Sequence, residues 1–361
     1  MTAMQQIAPA FDPAEAKAFA LRMVGAYSGG ALTLMTAIGH RLGLFDALAA
    51  TERTTSEELA ARTGLTERYL REWLAVLTTT SVTEYDPANR TFRLPPAHAA
   101  VLTRAAGPLN VSATSQFVTV AAAVEDEMVV RFRDGAGTHY HDYDRFHEVM
   151  AESNYRTVLL ALEPHILPLV PDLKERLEAG IAVADLGCGA GRALLHMAER
   201  FPRSTFTGFD LCADAFAASA AEADEKGLTN VFWRQADLSH AREIGRYDFV
   251  VAFDAVHDQA DPLAVLQTAR AALADGGLFL MQEIGGSGQL EEDVANPFAP
   301  LLYMMSVMHC TPISIGQGGP ALGTMWGAPM AEEYLRRAGF TDVMAARLPH
   351  DPINVYFTAR A

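Results

Sequence analysis

The sequence predicts an α/β chain: a mainly helical N-terminal part, then a largely parallel sheet with crossover helices after Pro171. Three observations lead there. Beyond residue 171, short runs rich in Val, Phe and Leu alternate with amphipathic runs. The first hundred residues carry apolar positions at helical spacing and a single hairpin signal. Half of the 361 residues are hydrophobic, enough to bury a sizeable core across roughly two domains.

From Pro13 to Ala50, Phe19, Met23, Leu34, Ile38, Leu42 and Leu48 recur at helical spacing, and the soft pair Gly29-Gly30 predicts a break, giving two or three helices. Thr55 or Ser56 caps the next helix, Gly64 supplies a tight turn, and Thr66 caps another helix expected to bury Tyr69, Leu70, Trp73 and Leu77. Val82 to Leu94 reads as a hairpin around Asp86-Pro87-Ala88-Asn89. That order resembles a winged helix. Residues 54 to 94 hold five arginines against six acidic residues, and the whole chain carries a formal charge of −16. Nucleic-acid affinity rests on basic side chains releasing counterions, so nucleic acid is not the expected partner. A platform for dimerisation is the expected role.

Gly107 to Pro171 reads as a helical connector with a loop at Arg133 to Thr138 and a His- and Tyr-rich stretch, His139 to His147. His139, His141 and His147 lack any matched carboxylate or thiolate pattern, and no metal is proposed from the sequence. The expected strands are Ile181 to Leu186, Thr205 to Asp210, Val231 to Gln235, Phe249 to Phe253, Leu278 to Glu283, Asp342 to Leu348 and Ile353 to Arg360. Helices are expected near Arg192 to Arg200, Ala213 to Lys226, Pro262 to Leu273 and Ala331 to Ala338. Gly285 to Gly327, glycine- and methionine-rich, reads as a long lid-like loop. The expected domains are 1–105 for dimerisation, 106–170 as connector and substrate cover, and 171–361 as the α/β domain with a lid at about 285–327.

Three cysteines, Cys188, Cys212 and Cys310, without C-x-x-C spacing, predict neither a disulfide framework nor a thiolate zinc site and fit a reducing cytoplasm. Met1 to Phe11 has no basic leader-like start, and no apolar run approaches the roughly 18 residues of a membrane span. A cytoplasmic protein with no membrane partner is expected.

Val183 to Arg192 is the most informative stretch, a buried strand running through Asp185-Leu186-Gly187-Cys188-Gly189-Ala190-Gly191 into a helix. Glycines there let the backbone turn sharply and a ligand lie close. A dinucleotide fingerprint needs a further glycine where Arg192 stands, which makes an NAD(P)-dependent oxidoreductase the second reading. Asp210 closes the next strand, where an acid can accept both hydroxyls of a ribose. Gln235-Ala236-Asp237-Leu238 follows the third strand with a carboxylate suited to an adenine amino group.

In this order these elements resemble the class I S-adenosylmethionine-dependent methyltransferases, over residues 175 to 361 and including the terminal strand pair. The resemblance implies a Rossmann-like seven-stranded sheet and S-adenosyl-L-methionine as cofactor. It implies Asp185, Gly187, Cys188, Gly189 and Gly191 as the methionine-side loop. Asp210 and Leu211 fall to the ribose and adenine, Ala236, Asp237 and Leu238 to the adenine edge, and Phe253 and Asp254 to the end of the fourth strand.

His257, Asp258 and Glu283 match, residue by residue, the His-Asp pair and strand-ending acid of small-molecule O-methyltransferases; Gln259 replaces the Trp that follows there. The likeness implies His257 as a general base of near-neutral pKa, oriented by Glu283. Tyr303, Met304, His309 and Trp326 from the lid, with His141 and Tyr143 from the connector, are expected to line an apolar acceptor site, and His309 is the reserve catalytic residue. The acceptor is expected to be a small hydrophobic or aromatic molecule. The whole layout also resembles bacterial methyltransferases of dimeric habit. A third reading is a winged-helix DNA regulator that senses a nucleoside cofactor.

Overall fold

A computed structural model describes residues 11–241 and 243–361; Met1 to Ala10, most of the stretch read for a leader, lie outside them. The chain divides into two compact units, one running to Ala106 with Asn110–Ser115, the other comprising Gly107–Leu109 and Gln116–Ala361. Among the described residues no helix is long and apolar enough to cross a membrane.

In the first unit, α1 (Pro13–Arg41) runs 29 residues straight through Gly29-Gly30, which corrects the predicted break. Two glycines cost about 1 kcal/mol each relative to alanine, too little to stop so long a helix. It ends instead before Gly43, left-handed at φ 69°, and α2 (Leu44–Ala49) follows. Thr55 caps α3 (Ser56–Thr63) through a capping box with Glu58, and Gly64 turns the chain at φ 71°. Thr66 occupies the cap position of α4 (Glu67–Thr79) but its side chain makes no capping bond. The buried stripe of α4 is Leu70, Trp73, Leu74 and Leu77. Tyr69 sits at its edge and is 78% exposed, against expectation. β1 (Glu84–Asp86) and β2 (Thr91–Arg93) pair antiparallel, with Thr54 bridging Phe92, so the hairpin is a wing. α5 (Pro96–Leu102) closes the unit.

The helices α6 (Val111–Ala122), α7 (Glu125–Asp134), α8 (Phe146–Asn154) and α9 (Leu173–Ala179) precede the sheet. Its strands are β3 (Ala182–Leu186), β4 (Thr205–Asp210), β5 (Val231–Gln235), β6 (Tyr247–Phe253), β7 (Leu273–Ile284), β8 (Thr341–Leu348) and β9 (Asp351–Arg360), in the order β5-β4-β3-β6-β7-β9-β8. All pairs are parallel except those of β9. Side chains alternate between the two faces. Ala184, Val250, Ala252, Phe279 and Met281 pack into one core, and Val183, Phe249, Val251, Leu278 and Leu280 into the other. Chain order reverses beside β3, and the crevice beyond the carboxyl ends of β3, β4 and β6 is where open α/β sheets hold ligands. The crossover helices are α10 (Arg192–Arg200), α11 (Ala213–Glu225) and α12 (Pro262–Ala271).

The segment 285–327 is not the loop expected. It folds as α13 (Leu290–Asp293), α14 (Ala299–Met305), a wide five-residue turn over Ser306–Cys310 and α15 (Thr311–Gly316) before α16 (Ala328–Arg337). Its glycines gather at the two ends, while the middle buries Leu302, Met305 and Ile313 at helical spacing. α15 meets the 133–138 loop backbone to backbone: Thr138 N–H donates to Pro312 O at 2.9 Å. A Cβ on Gly316 would stand 2.1 Å from Thr138 O, so only glycine permits the approach.

Candidate active site

The turn after β3 is built for close approach. Gly187, Gly189 and Gly191 all have positive φ, at 73°, 52° and 67°. A Cβ on Gly191 would collide with Trp233, and one on Gly187 with Ala255. Gly189 faces open space and donates its N–H to Asp210 Oδ2 at 2.8 Å, while Cys212 N–H donates to Oδ1 at 2.9 Å. Asp210, at the end of β4, thus pins the glycine turn and keeps further lone pairs for a hydroxylated ligand. Asp185 lies behind this turn, 2% exposed, with Oδ1 lacking any hydrogen-bond partner. Burial, reinforced by the Asp210 charge, pushes its pKa up to about 7. A buried carboxylate oxygen without a donor suits a cationic ligand group, so the residues present fit a cofactor carrying an ammonium and a ribose.

The remaining members of the expected cofactor set are less uniform. Leu211 is half-exposed. Leu238 is 3% exposed in the sheet's core, so only its backbone is left to offer. Asp237 accepts from Ser239 N–H at 3.0 Å and pairs with His240 Nδ1 at 2.9 Å, the bonds of a turn-capping residue. Ala236 N–H is taken by Asp210 O. Phe253 is core, and Asp254 follows at a positive φ of 54°, a strained backbone of the kind that gathers at functional sites. Asp254 Oδ1 has no hydrogen-bond partner, and burial, eased by His257 and increased by Glu283, pushes its pKa to about 7.

The ends of β6 and β7 bring the three expected catalytic residues together. Glu283 is wholly buried; its Oε1 accepts from Val256 N–H at 3.0 Å, and its Oε2 lies 2.6 Å from His257 Nδ1. His257 Nε2 faces Asp258 Oδ1 at 3.2 Å. Burial opposes a charged imidazole, but the carboxylates of Glu283 and Asp258 outweigh it and hold His257 well above the ordinary histidine pKa. The near-neutral value expected from the sequence is therefore corrected: His257 sits between two anions.

Trp326 Nε1 donates to Glu283 Oε2 at 3.3 Å and its ring packs in the sheet's core, where it buttresses the carboxylate. Tyr303 donates to Asp293 at 2.9 Å within a separate apolar cluster. His141 is on the surface, its side chain 81% exposed beside His139. Tyr143, Met304 and His309 do converge. Tyr143 meets His309 edge-on at 4.7 Å and bonds Thr138 Oγ1 at 2.8 Å, and Met304 packs in the same cluster as Tyr143. His309 is 1% exposed, its Nδ1 lies 3.8 Å from Asp258 Oδ2, and its Nε2 has no hydrogen-bond partner. Burial, with the positive charge of His257, holds it well below the ordinary histidine pKa.

Sequence reasoning missed Phe146, which stacks on His309 at 3.6 Å, and Cys310, which accepts from Thr324 Oγ1 at 3.0 Å. The signal for Phe146 was its place inside the His- and Tyr-rich stretch; Cys310 had only its adjacency to His309.

Residues 177–310 match the family described as a methyltransferase domain, and residues 30–104 match the Rv2258c-like winged HTH domain. The chain thus carries, in order, a stretch similar to a winged helix-turn-helix domain and a stretch similar to a methyltransferase domain. Nocamycin O-methyltransferase of Saccharothrix syringae is 31% identical over 175 residues, covering 45% of this chain and 60% of that enzyme, so the match spans less than two thirds of its length. Two solved structures share the fold. One is a putative O-methyltransferase of Nostoc punctiforme, with TM-score 0.70 and 17% identity over 98% of this chain and all of that one. The other is human N-acetylserotonin methyltransferase in complex with S-adenosylmethionine, with TM-score 0.61 and 17% identity over 98% of this chain and 99% of that one.

Proposed function

We propose that the chain transfers a methyl group from S-adenosylmethionine to an oxygen of a small hydrophobic or aromatic acceptor, with His257 as general base. The observation that carries this reading is the buried Glu283–His257–Asp258 array at the carboxyl ends of two strands, in the same unit as a glycine turn fitted to the cofactor. The likeness to nocamycin O-methyltransferase, 31% identical over 175 residues, supports oxygen as the acceptor atom.

The bound cofactor supplies an electrophilic methyl group on a sulfonium. Asp185 takes the ammonium end, Gly189 leaves room for the backbone to touch the ligand, and Asp210 accepts the ribose hydroxyls. Leu211, Ala236 and the Asp237-Leu238 backbone border the adenine, and Phe253 with Asp254 closes the β6 side. In-line displacement needs the acceptor oxygen near the methyl and stripped of its proton; positioning supplies much of the rate. His257 takes that proton at Nε2. Glu283 fixes the ring by its bond to Nδ1, and the two carboxylates favour the imidazolium, so His257 rests protonated near neutrality; only its deprotonated form, a strong base, takes the acceptor's proton, and turnover rises with pH. Tyr143, Phe146, Met304 and neutral His309 form the apolar wall for the acceptor, and the connector and the 285–327 segment act as its covers.

Two copies of the chain associate, in this reading, through the first unit. Leu21, Val24 and Tyr27, three residues apart on the N-terminal half of α1, are exposed on one side of the helix and offer an apolar strip to bury against a second copy. Three free cysteines fit work in the reducing cytoplasm. The test of the activity is a screen of phenols and carboxylic acids with labelled S-adenosylmethionine: label transferred by the native protein and lost in His257→Asn supports the reading, and full turnover in that variant contradicts it.

A further inference from the structure

We infer that His257, Asp258 and Cys310 form a binding site for a divalent cation of the zinc class. Their donor atoms all lie within 4.8 Å of one another, and His257 Nε2 stands 3.2 Å from Asp258 Oδ1. Ligands of a tetrahedral zinc, at about 2.0–2.3 Å from the metal, stand roughly 3.3–3.7 Å apart, so His257 and Asp258 are already at ligand spacing and Cys310 need close by no more than about 1.5 Å to share the ion. All three residues are at least nine-tenths buried. Asp258 Oδ1 makes no well-formed hydrogen bond, and its charge is met only by His257 Nε2 at 3.2 Å, itself a ligand of the site, so a cation can take the proton's place between them.

The surroundings complete the pattern. Glu283 holds the other nitrogen of His257 at 2.6 Å, the carboxylate–histidine arrangement that orients metal-bound imidazoles. Thr324 Oγ1 donates to Cys310 Sγ at 3.0 Å, a bond that supports a thiolate. His309 Nδ1 lies beside the group, 3.7 Å from Cys310 Sγ and 3.8 Å from Asp258 Oδ2.

The charges balance. A divalent cation, a neutral imidazole, one carboxylate and one thiolate sum to zero, and with the neighbouring Glu283 carboxylate the loaded site carries the same single negative charge as the metal-free site with His257 protonated, so the ion adds no net buried charge. Binding releases one proton from the His257 imidazolium and one from the Cys310 thiol to solvent, so affinity rises with pH. The ion occupies His257 Nε2, the atom that accepts the acceptor's proton, and zinc-loaded protein is therefore inactive until a chelator removes the metal. That consequence rests on the proposed methyl transfer; the binding itself does not. It departs from the sequence reading, which found no metal pattern in His139, His141 and His147 and, from the spacing of Cys188, Cys212 and Cys310, expected no thiolate zinc site.

The test uses the full chain, stripped with chelator and titrated with Co²⁺ and then Zn²⁺. The expected result is one equivalent of Co²⁺ bound with a thiolate-to-cobalt charge-transfer band, bleached by zinc. The band should vanish in Cys310→Ser, and Asp258→Asn should bind at least about tenfold more weakly. The double variant Cys188→Ser/Cys212→Ser, which leaves Cys310 as the sole thiol, should keep the band and decides the matter even if Cys310→Ser does not fold. No cobalt binding at micromolar concentration, a band that survives Cys310→Ser, or its loss in the double variant overturns the inference. Because the readout is metal binding, failure to find an acceptor leaves this result independent.

Discussion

Asp185→Asn separates the cost of the cofactor site from its use. Asp185 is 2% exposed on β3, one of its oxygens has no donor, and burial beside Asp210 pushes its pKa up to about 7. The ordinary carboxylate value is 3.8, so ionising it in the ligand-free fold runs against some three pH units at about 1.4 kcal/mol each, about 4 kcal/mol. A folded-state pKa raised above the unfolded one means the fold prefers the protonated acid. Stability is therefore greatest below pH 3.8, falls as pH rises, and the full loss is reached above about pH 7. Asparagine never ionises, so ligand-free Asp185→Asn should be more stable than the native chain at pH 8, by up to about 4 kcal/mol less whatever its amide leaves unbonded. Below pH 4 the difference should close. The same change removes the partner of the cofactor's ammonium. A hydrogen bond to a charged group is worth about 1.5–3 kcal/mol, so affinity for S-adenosylhomocysteine should fall roughly 10- to 100-fold. Chemical denaturation at pH 5 and pH 8, with calorimetric titration at pH 8, reads both effects. A variant no more stable at pH 8, or one that binds S-adenosylhomocysteine as tightly as the native chain, refutes the reasoning.

Other consequences follow from the same geometry. Asp210→Ala frees the Gly189 and Cys212 N–H groups and removes the ribose acceptor, so calorimetry should find cofactor affinity reduced by at least about tenfold, roughly one lost charged hydrogen bond; unchanged affinity removes the ribose assignment. His257→Asn in chelator-treated protein should lower kcat by about 10²- to 10⁴-fold with little change in S-adenosylhomocysteine affinity, the signature of a base that does not hold the cofactor. Light scattering of the native chain should give a dimer, and charges placed on α1 as Leu21→Asp/Val24→Asp should give a monomer with unchanged circular dichroism. A native monomer, or a dimer that survives both charges, rejects the α1 interface.

Much of the sheet was legible because its signals are local. β4 and β5 begin and end at the residues expected, since turn residues bracket runs of strand-forming side chains, and the G-x-G-x-G turn marks the end of β3. Elements whose fate depends on distant packing were less legible. Gly29-Gly30 reads as a break, yet a 29-residue helix carries the pair at small cost. The 285–327 segment reads as a loop from its terminal glycines, while its helices are fixed by burial of Leu302, Met305 and Ile313. At the site, the pairing of His257 with Glu283 was foreseeable from two adjacent strand ends. The approach of His309 and Cys310 to Asp258 was not, because about fifty residues separate them and no periodicity links the two stretches.

Calorimetric titration of the full chain with S-adenosylhomocysteine, with NAD and NADP as comparators, tests the central claim most directly, since it requires no knowledge of the acceptor. The account predicts one site per chain for S-adenosylhomocysteine at micromolar affinity, about −8 kcal/mol, and no measurable heat from either nicotinamide cofactor. Tight binding of NAD or NADP, or no binding of S-adenosylhomocysteine, would contradict it.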